Sequence, residues 1–401
     1  MRMAPRDPHE LHRASSPLEL FLDLAFVVAV AQVAGALHHG LVDGHIGDAL
    51  VGYPAVFFAI WWAWMNFTWF ASAFDCDDVL YRLAVFVQMT GVLVLAAGVP
   101  RAFDDMDFTV MVVGYVIMRL AMVAQWLRAA VSYEAGRPAA LRFAVGIGVL
   151  QVGWVLRLFV PGAPGMIAFL LLVAGELAVP VWAEGARATP WHPRHIAERY
   201  GLFTIIVLGE SVLGATVAVQ QAVDDADRTL GELAPVIVGG LLIVFSMWWI
   251  YFALPSERLV ERAREDDGSQ TAFAWGYGHF VVFASVAATG AGIVVAVDGA
   301  TGESSLSSFG AGLAVTLPVA AYVLAVWLLH RGAKAHGVMR DVAPPIAVVA
   351  VLVMSVTPEP VLGSGLVMVA LVAVGIASGE DRSGGGVAVP GDATAPGARR
   401  V

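Results

Sequence analysis

Runs of about twenty apolar residues recur along the chain, separated by short segments that carry nearly all of its charge. An α-helix rises 1.5 Å per residue, so a hydrocarbon core of about 30 Å requires about 20 such residues. That ruler predicts twelve spanning helices, at 18–38, 47–72, 79–99, 107–131, 139–160, 164–183, 198–220, 232–254, 271–297, 309–331, 342–357 and 361–378. The last two are short, and only Thr357-Pro358-Glu359-Pro360 separates them, which leaves a re-entrant pair open there. The expected architecture is an all-α polytopic membrane bundle.

Residues 1–17 form a polar N-terminal segment, 18–183 a first six-helix half, 184–378 a second, and 379–401 a tail rich in Gly, Pro, Ala and Asp. The tail lacks apolar periodicity and is expected to be disordered. A weak internal similarity aligns Glu19, Phe21, Leu24, Gly35 and Trp61-Trp62 with Glu198, Tyr200, Phe203, Gly214 and Trp248-Trp249. Halves of six spans share one orientation, so such a repeat implies an axis along the membrane normal.

Composition agrees with the pattern. Hydrophobic residues make up 59% of the 401 positions and charged ones 14%, against about a quarter charged in soluble chains. This excludes a water-soluble fold, and nucleic acid is not an expected partner. The net charge of −10 adds little, because most acids share short loops with arginines. Their distribution is more telling. With the N-terminus inside, 19 Arg and Lys lie in inner segments, only Arg101 and Arg228 lie outside, and Arg119 and Arg157 fall within spans. Positively charged short loops remain cytoplasmic, so both termini are expected in the cytoplasm of a bacterial inner membrane. No cleavable signal is expected, since residues 1–17 are polar. The single cysteine, Cys76, permits no internal disulfide and no thiolate cage.

The informative residues are those a lipid-facing helix would not carry, since a charge at the bilayer centre costs roughly 2.5–3.5 kcal/mol. They are Glu19 and Asp23 in span one, Arg119 in span four, Glu176 in span six, Glu210 in span seven and His279 in span nine, with Asn66, Gln88, Gln125 and Gln151 as neutral companions. Depth makes Arg119 and Glu210 natural partners at the midplane and lets Asp23 and His279 share an inner vestibule. Glu19 and Asp23 lie four residues apart on one face, and His195, Glu198 and Arg199 cluster at the inner start of span seven. Arg199 and Glu210 share a stripe that reads either as the wall of a hydrated path or as buried ion pairs locking helices.

Other constellations are weaker. Asp75, Asp77 and Asp78 have the chemistry of a divalent-cation site, but Arg82 nearby favours a solvated loop docked on arginine. His38, His39 and His45 read better as surface histidines than as a metal site. His195 with Glu198 is not the HExxH pattern, and no Walker motif is present. Trp61, Trp62, Trp64 and Trp69 favour packing at a helix crossing over a ligand cage. No cofactor is implied.

The run His195-Ile-Ala-Glu-Arg-Tyr-Gly-Leu-Phe-Thr-Ile-Ile-Val-Leu-Gly-Glu-Ser211 resembles the bacterial low temperature requirement protein A family. Glu19-Leu-Phe-Leu-Asp-Leu-Ala-Phe, Phe74-Asp75 with Asp77-Asp78 and Arg82, and Tyr115 with Arg119 resemble it as well. The resemblance spans about residues 15 to 380. It implies a multi-pass membrane protein and places Glu19, Asp23, Asp75, Asp78, Arg82, Arg119, His195, Glu198, Arg199, Glu210 and Ser211 at motif positions; it supplies no substrate. The expected activity is a proton- or cation-coupled secondary transporter of a small solute or ion, with Asp23, Glu176 and Glu210 exchanging protons against Arg119. A channel, a lipid-modifying membrane enzyme using the Asp75–Asp78 cluster, and a scaffold without flux are the alternatives.

Overall fold

In a computed structural model, described for residues 3–7, 10, 13–224, 230–253, 260–261, 269–331 and 341–378, the described chain is helical throughout with no strand. Residues 379–401, read as a disordered tail, lie outside the described residues. The twelve helices are α1 (Pro17–Val42), α2 (Ile46–Phe74), α3 (Val79–Asp104), α4 (Thr109–Ser132), α5 (Arg137–Arg157), α6 (Gly162–Glu184), α7 (Pro193–Asp224), α8 (Leu230–Phe252), α9 (Ser269–Thr301), α10 (Ser308–His330), α11 (Ala343–Met354) and α12 (Pro360–Ala377).

Eleven are long and apolar enough to cross a membrane. The exception is α11, expected over 342–357 but only 12 residues long, about 18 Å at the helical rise. Local signals start the helices where the sequence changes character. Pro17 opens α1 behind a capping box in which Ser16 and Glu19 satisfy each other's backbone N–H groups. Asp78 caps α3 through the Tyr81 N–H, and Ser307 caps α10 through the Gly310 N–H. The helices are apolar on nearly all faces, as lipid demands.

The order of neighbours in the first six helices recurs in the last six. α1 packs on α2 and α3, then α3 on α4, α4 on α5 and α5 on α6; α7 packs on α8 and α9, then α9 on α10, α10 on α11 and α11 on α12. Small residues bring the closest pairs together, as expected where lipid tails are no less apolar than the helix faces. A Cβ on Gly114 of α4 would lie 2.3 Å from the Leu95 nitrogen of α3, and one on Gly292 of α9 would lie 2.2 Å from the Ala314 oxygen of α10.

One contact breaks the correspondence. α8 and α12 close on each other through Gly239 and Gly365, whereas α2 and α6 stand apart. Bulky aromatic side chains of α2 fill that space only in part. α2 and α1 also join the halves, through contacts with α7 and α9.

Gly114→Val is expected to lower stability by about 1–3 kcal/mol through overpacking against the α3 backbone. Gly148→Ala, with nothing within 4 Å of the new methyl, is expected to be neutral. Unfolding in mixed micelles measures both.

Candidate functional site

Glu176, like Glu19 and Asp23, has no exposed surface. Helices α2, α4 and α5 aim donors at it. Trp62 Nε1 donates to Oε2 at 2.9 Å and Arg119 Nη2 at 2.7 Å; the Tyr115 hydroxyl donates to Oε1 at 3.0 Å, Trp154 Nε1 at 3.2 Å and Gln151 Nε2 at 3.3 Å. Five donors on one carboxylate replace the water that the bilayer withholds. Pro180, four residues on, has no N–H for the Glu176 carbonyl, so the helix is locally weakened beside this layer. The guanidinium of Arg119 lies 5.7 Å from the centre of the Tyr115 ring, and its Nε and Nη1 make no hydrogen bond.

The expected Arg119–Glu210 pair is therefore not formed. The two residues share a depth, but α4 packs on α3 and α5, whereas α7 packs on α1, α8 and α9. Glu210 is half-buried and, among the described residues, has no hydrogen bond or ion pair.

Two cavities flank the Glu176 layer from opposite faces of the bundle. One, of about 50 Å³, lies in the half away from the N-terminus, lined by Val56, Phe58, Val112, Tyr115, Trp154 and Arg157 among others. The second, of about 30 Å³, lies toward the N-terminal face, lined by Asn66, Trp69, Trp126, Glu184, Thr189 and Tyr277 among others. The Glu176 layer lies between them: Tyr115 and Trp154 line the larger cavity, and Pro180, one turn beyond Glu176 on α6, lines the smaller.

A second cluster ties α1 to α7 near the N-terminal face. Both helices present residues four apart on facing stripes, giving two rungs. Asp23 receives Arg199 in a bidentate pair at 2.7 and 2.5 Å, with Trp64 Nε1 donating at 2.8 Å. Glu19 Oε1 lies 3.1 Å from His195 Nε2, while Oε2 accepts the Ser16 N–H at 2.7 Å. Glu198 accepts the Ser15 N–H at 3.1 Å. The N-terminal segment folds over this cluster: Arg13 donates to the carbonyls of Ala71 and Ser72 and lies 3.6 Å from Asp75. Burial pushes the Arg13 guanidinium below its ordinary value; burial and then Glu19 push the Asp75 carboxyl up.

The vestibule expected between Asp23 and His279 is absent. His279 is sealed among aromatic rings, with Nδ1 2.8 Å from the Trp275 carbonyl and Nε2 3.1 Å from the Tyr251 hydroxyl. Arg199 and Glu210 lie on one stripe of α7, but Arg199 is fully buried and committed to Asp23, so of the two readings of that stripe the buried ion pair holds at Arg199. The three loop acids are not gathered on a common point: Asp75 faces Arg13, Asp77 bonds Arg82, and Asp78 bonds Arg128. No group of three His, Cys, Asp or Glu suited to a metal occurs among the described residues. His38 pairs with Asp298 at 2.6 Å, and Ser211 donates to the Val286 carbonyl at 2.9 Å.

Sequence reasoning missed the roles of Trp62, Trp64 and Trp154 as donors and of Arg157 as a cavity residue. The signal was available for the tryptophans: an indole N–H inside a span must find an acceptor, and the acids are few.

These helices and the acids buried between them define a multi-pass membrane helical bundle. Residues 14–376 match the family described as bacterial low temperature requirement A protein, and the chain belongs to that family. It is also similar to an uncharacterized protein of Rhizobium meliloti (strain 1021), RA0937, at 27% identity over 299 residues, covering 70% of this chain and 68% of the relative. No solved structure matches.

Glu176→Gln leaves Arg119 as an uncompensated cation and is expected to cost about 3–5 kcal/mol, whereas pairing it with Arg119→Met recovers part of the loss. Detergent unfolding of the three variants checks this. The hydrogen bond from Arg128 lowers the Asp78 carboxyl to about 2. Its contribution is thus fully present above about pH 4 and lost as pH falls toward 2. Asp78→Asn is expected to be less stable than wild type at pH 7, with the difference shrinking toward pH 2.

Proposed function

We propose that the protein is a proton- or cation-coupled secondary transporter of the bacterial cytoplasmic membrane, with both termini in the cytoplasm and two equivalent six-helix halves. The observation that carries this reading is the pair of cavities on either side of one hydrogen-bonded layer. A carrier needs a site that is closed to at least one side at every moment. The Glu176 layer closes the path here without filling the spaces beside it. A channel reading lacks such support, since the two cavities share no lining residue.

Roles divide by partner. Asp23 and Glu176 are each held by an arginine and further donors, so they organise the bundle. Glu210 alone among the acids expected to exchange protons is without a partner, and it is the group assigned to coupling. Alternating access in this reading turns on α6, where Pro180 weakens the helix next to Glu176, and on the α1–α7 rungs that join the halves. The distribution of Arg and Lys supports the cytoplasmic placement of the N-terminal face. The recurrent neighbour order supports equivalent halves related by an axis along the membrane normal.

Purified protein in sealed vesicles, offered a panel of labelled ions and small organic solutes, is expected to show saturable uptake that responds to an imposed pH gradient. Glu210→Gln keeps shape and removes titration, and it is expected to abolish the response to the gradient. Fast unsaturated current, or pH-dependent uptake unchanged in folded Glu210→Gln, contradicts the reading.

A further inference from the structure

The larger cavity has apolar walls and one cation. Arg157, the last residue of α5, lines it, and its guanidinium lies 5.1 Å from the Phe108 ring centre and 5.4 Å from that of Phe169. Among the described residues it has no ion pair and no side-chain hydrogen bond, and its Nε is buried without a partner. Arg82, Arg119, Arg128, Arg137 and Arg142, the other arginines within helices of this half apart from Arg101 at the far end of α3, each donate to an acceptor. A cation without a counter-ion beside a hydrocarbon core costs energy unless an anion arrives to match it. Two aromatic rings hold the plane by cation–π attraction, which leaves the N–H edge available for a planar carboxylate.

The space beside that edge selects what the anion must be attached to. Val56, Leu95, Met111 and Val112 form its walls, and the rings of Tyr115 and Trp154 form its floor. The polar ends of those two rings are turned to Glu176, so a ligand meets apolar surface everywhere except at Arg157. A volume of about 50 Å³ admits a compact body and not a long acyl chain. A bare phosphate or lipid headgroup satisfies the guanidinium but leaves the apolar space unused.

We propose that this cavity binds a small monocarboxylate with a compact apolar body, its carboxylate on Arg157 and its body against Val112 and Trp154. The binding site stands on its own geometry; that such an acid is the transported solute rests on the transporter reading above.

Equilibrium binding of labelled propionate to the full chain in phosphatidylcholine nanodiscs tests the site. Saturable binding is expected, weakened about tenfold or more by Arg157→Gln through loss of a charge-assisted contact, partly restored by Arg157→Lys, and abolished by Val112→Phe, which fills the cavity. Propionamide and inorganic phosphate are expected not to compete. Absence of saturable propionate binding to the wild type overturns the proposal, as does binding that both Arg157→Gln and Val112→Phe leave intact. Displacement by phosphate, or by phosphatidylglycerol in the disc, assigns Arg157 to headgroups and overturns it too. The same protein in vesicles then separates the two readings: propionate binding without accumulation above protein-free vesicles leaves the site standing and removes the transporter reading.

Discussion

A carboxylate in the middle of a membrane has no water to bond, so every lone pair it carries must be met by a donor on a neighbouring helix. Glu176 meets this constraint with five donors from three helices. Much of the first half is arranged by that demand. α2 can stand away from α6 only because Trp62 is long enough to bridge the space. α4 and α5 must turn Tyr115, Arg119, Gln151 and Trp154 inward at one level. The cavities above and below are what remains when large side chains converge on one point and the helices themselves do not close.

The second half solves the same packing differently. Gly239 and Gly365 let α8 and α12 touch backbone to backbone, so no comparable space and no comparable buried acid is required. The halves are then joined by the paired rungs of α1 and α7, where Asp23 meets Arg199 and Glu19 meets His195. A closely packed second half, a bridged first half and an ionic seam between them make the seam and Pro180 the places where the structure is held by few polar contacts rather than by backbone packing.

Span number and much of the chemistry were legible in the sequence because length and charge are one-dimensional properties. The ruler of about 20 residues found all twelve helices, although α11 proved shorter than the bilayer is thick. Glu19 and Asp23 on one face, and Asp77 docked on Arg82, follow from local spacing, whereas Arg13 for Asp75 and Arg128 for Asp78 do not. Partners across helices were not. Arg119 and Glu210 are expected at one depth yet belong to helices that do not pack as neighbours, because position along a span fixes depth and leaves azimuth and neighbour order open. The tryptophans of α2 were read as packing alone, since an indole serves equally as bulk and as donor until its acceptor is known. Arg157 is legible in the sequence only as a charge within a span; the cavity beside it gives it a role.

The central claim is that the Glu176 layer separates two spaces that open to opposite sides. In a Cys76→Ser background, Val112→Cys and Asn66→Cys place single thiols in the outer and inner cavities. Labelling by a membrane-impermeant maleimide, applied to right-side-out and inside-out vesicles, tests the claim directly. The account predicts that Val112→Cys reacts from the periplasmic side, Asn66→Cys reacts from the cytoplasmic side, and neither reacts from both sides when Glu176 is intact. Equal labelling of either position from both sides, or both positions labelled from the same side alone, would contradict it.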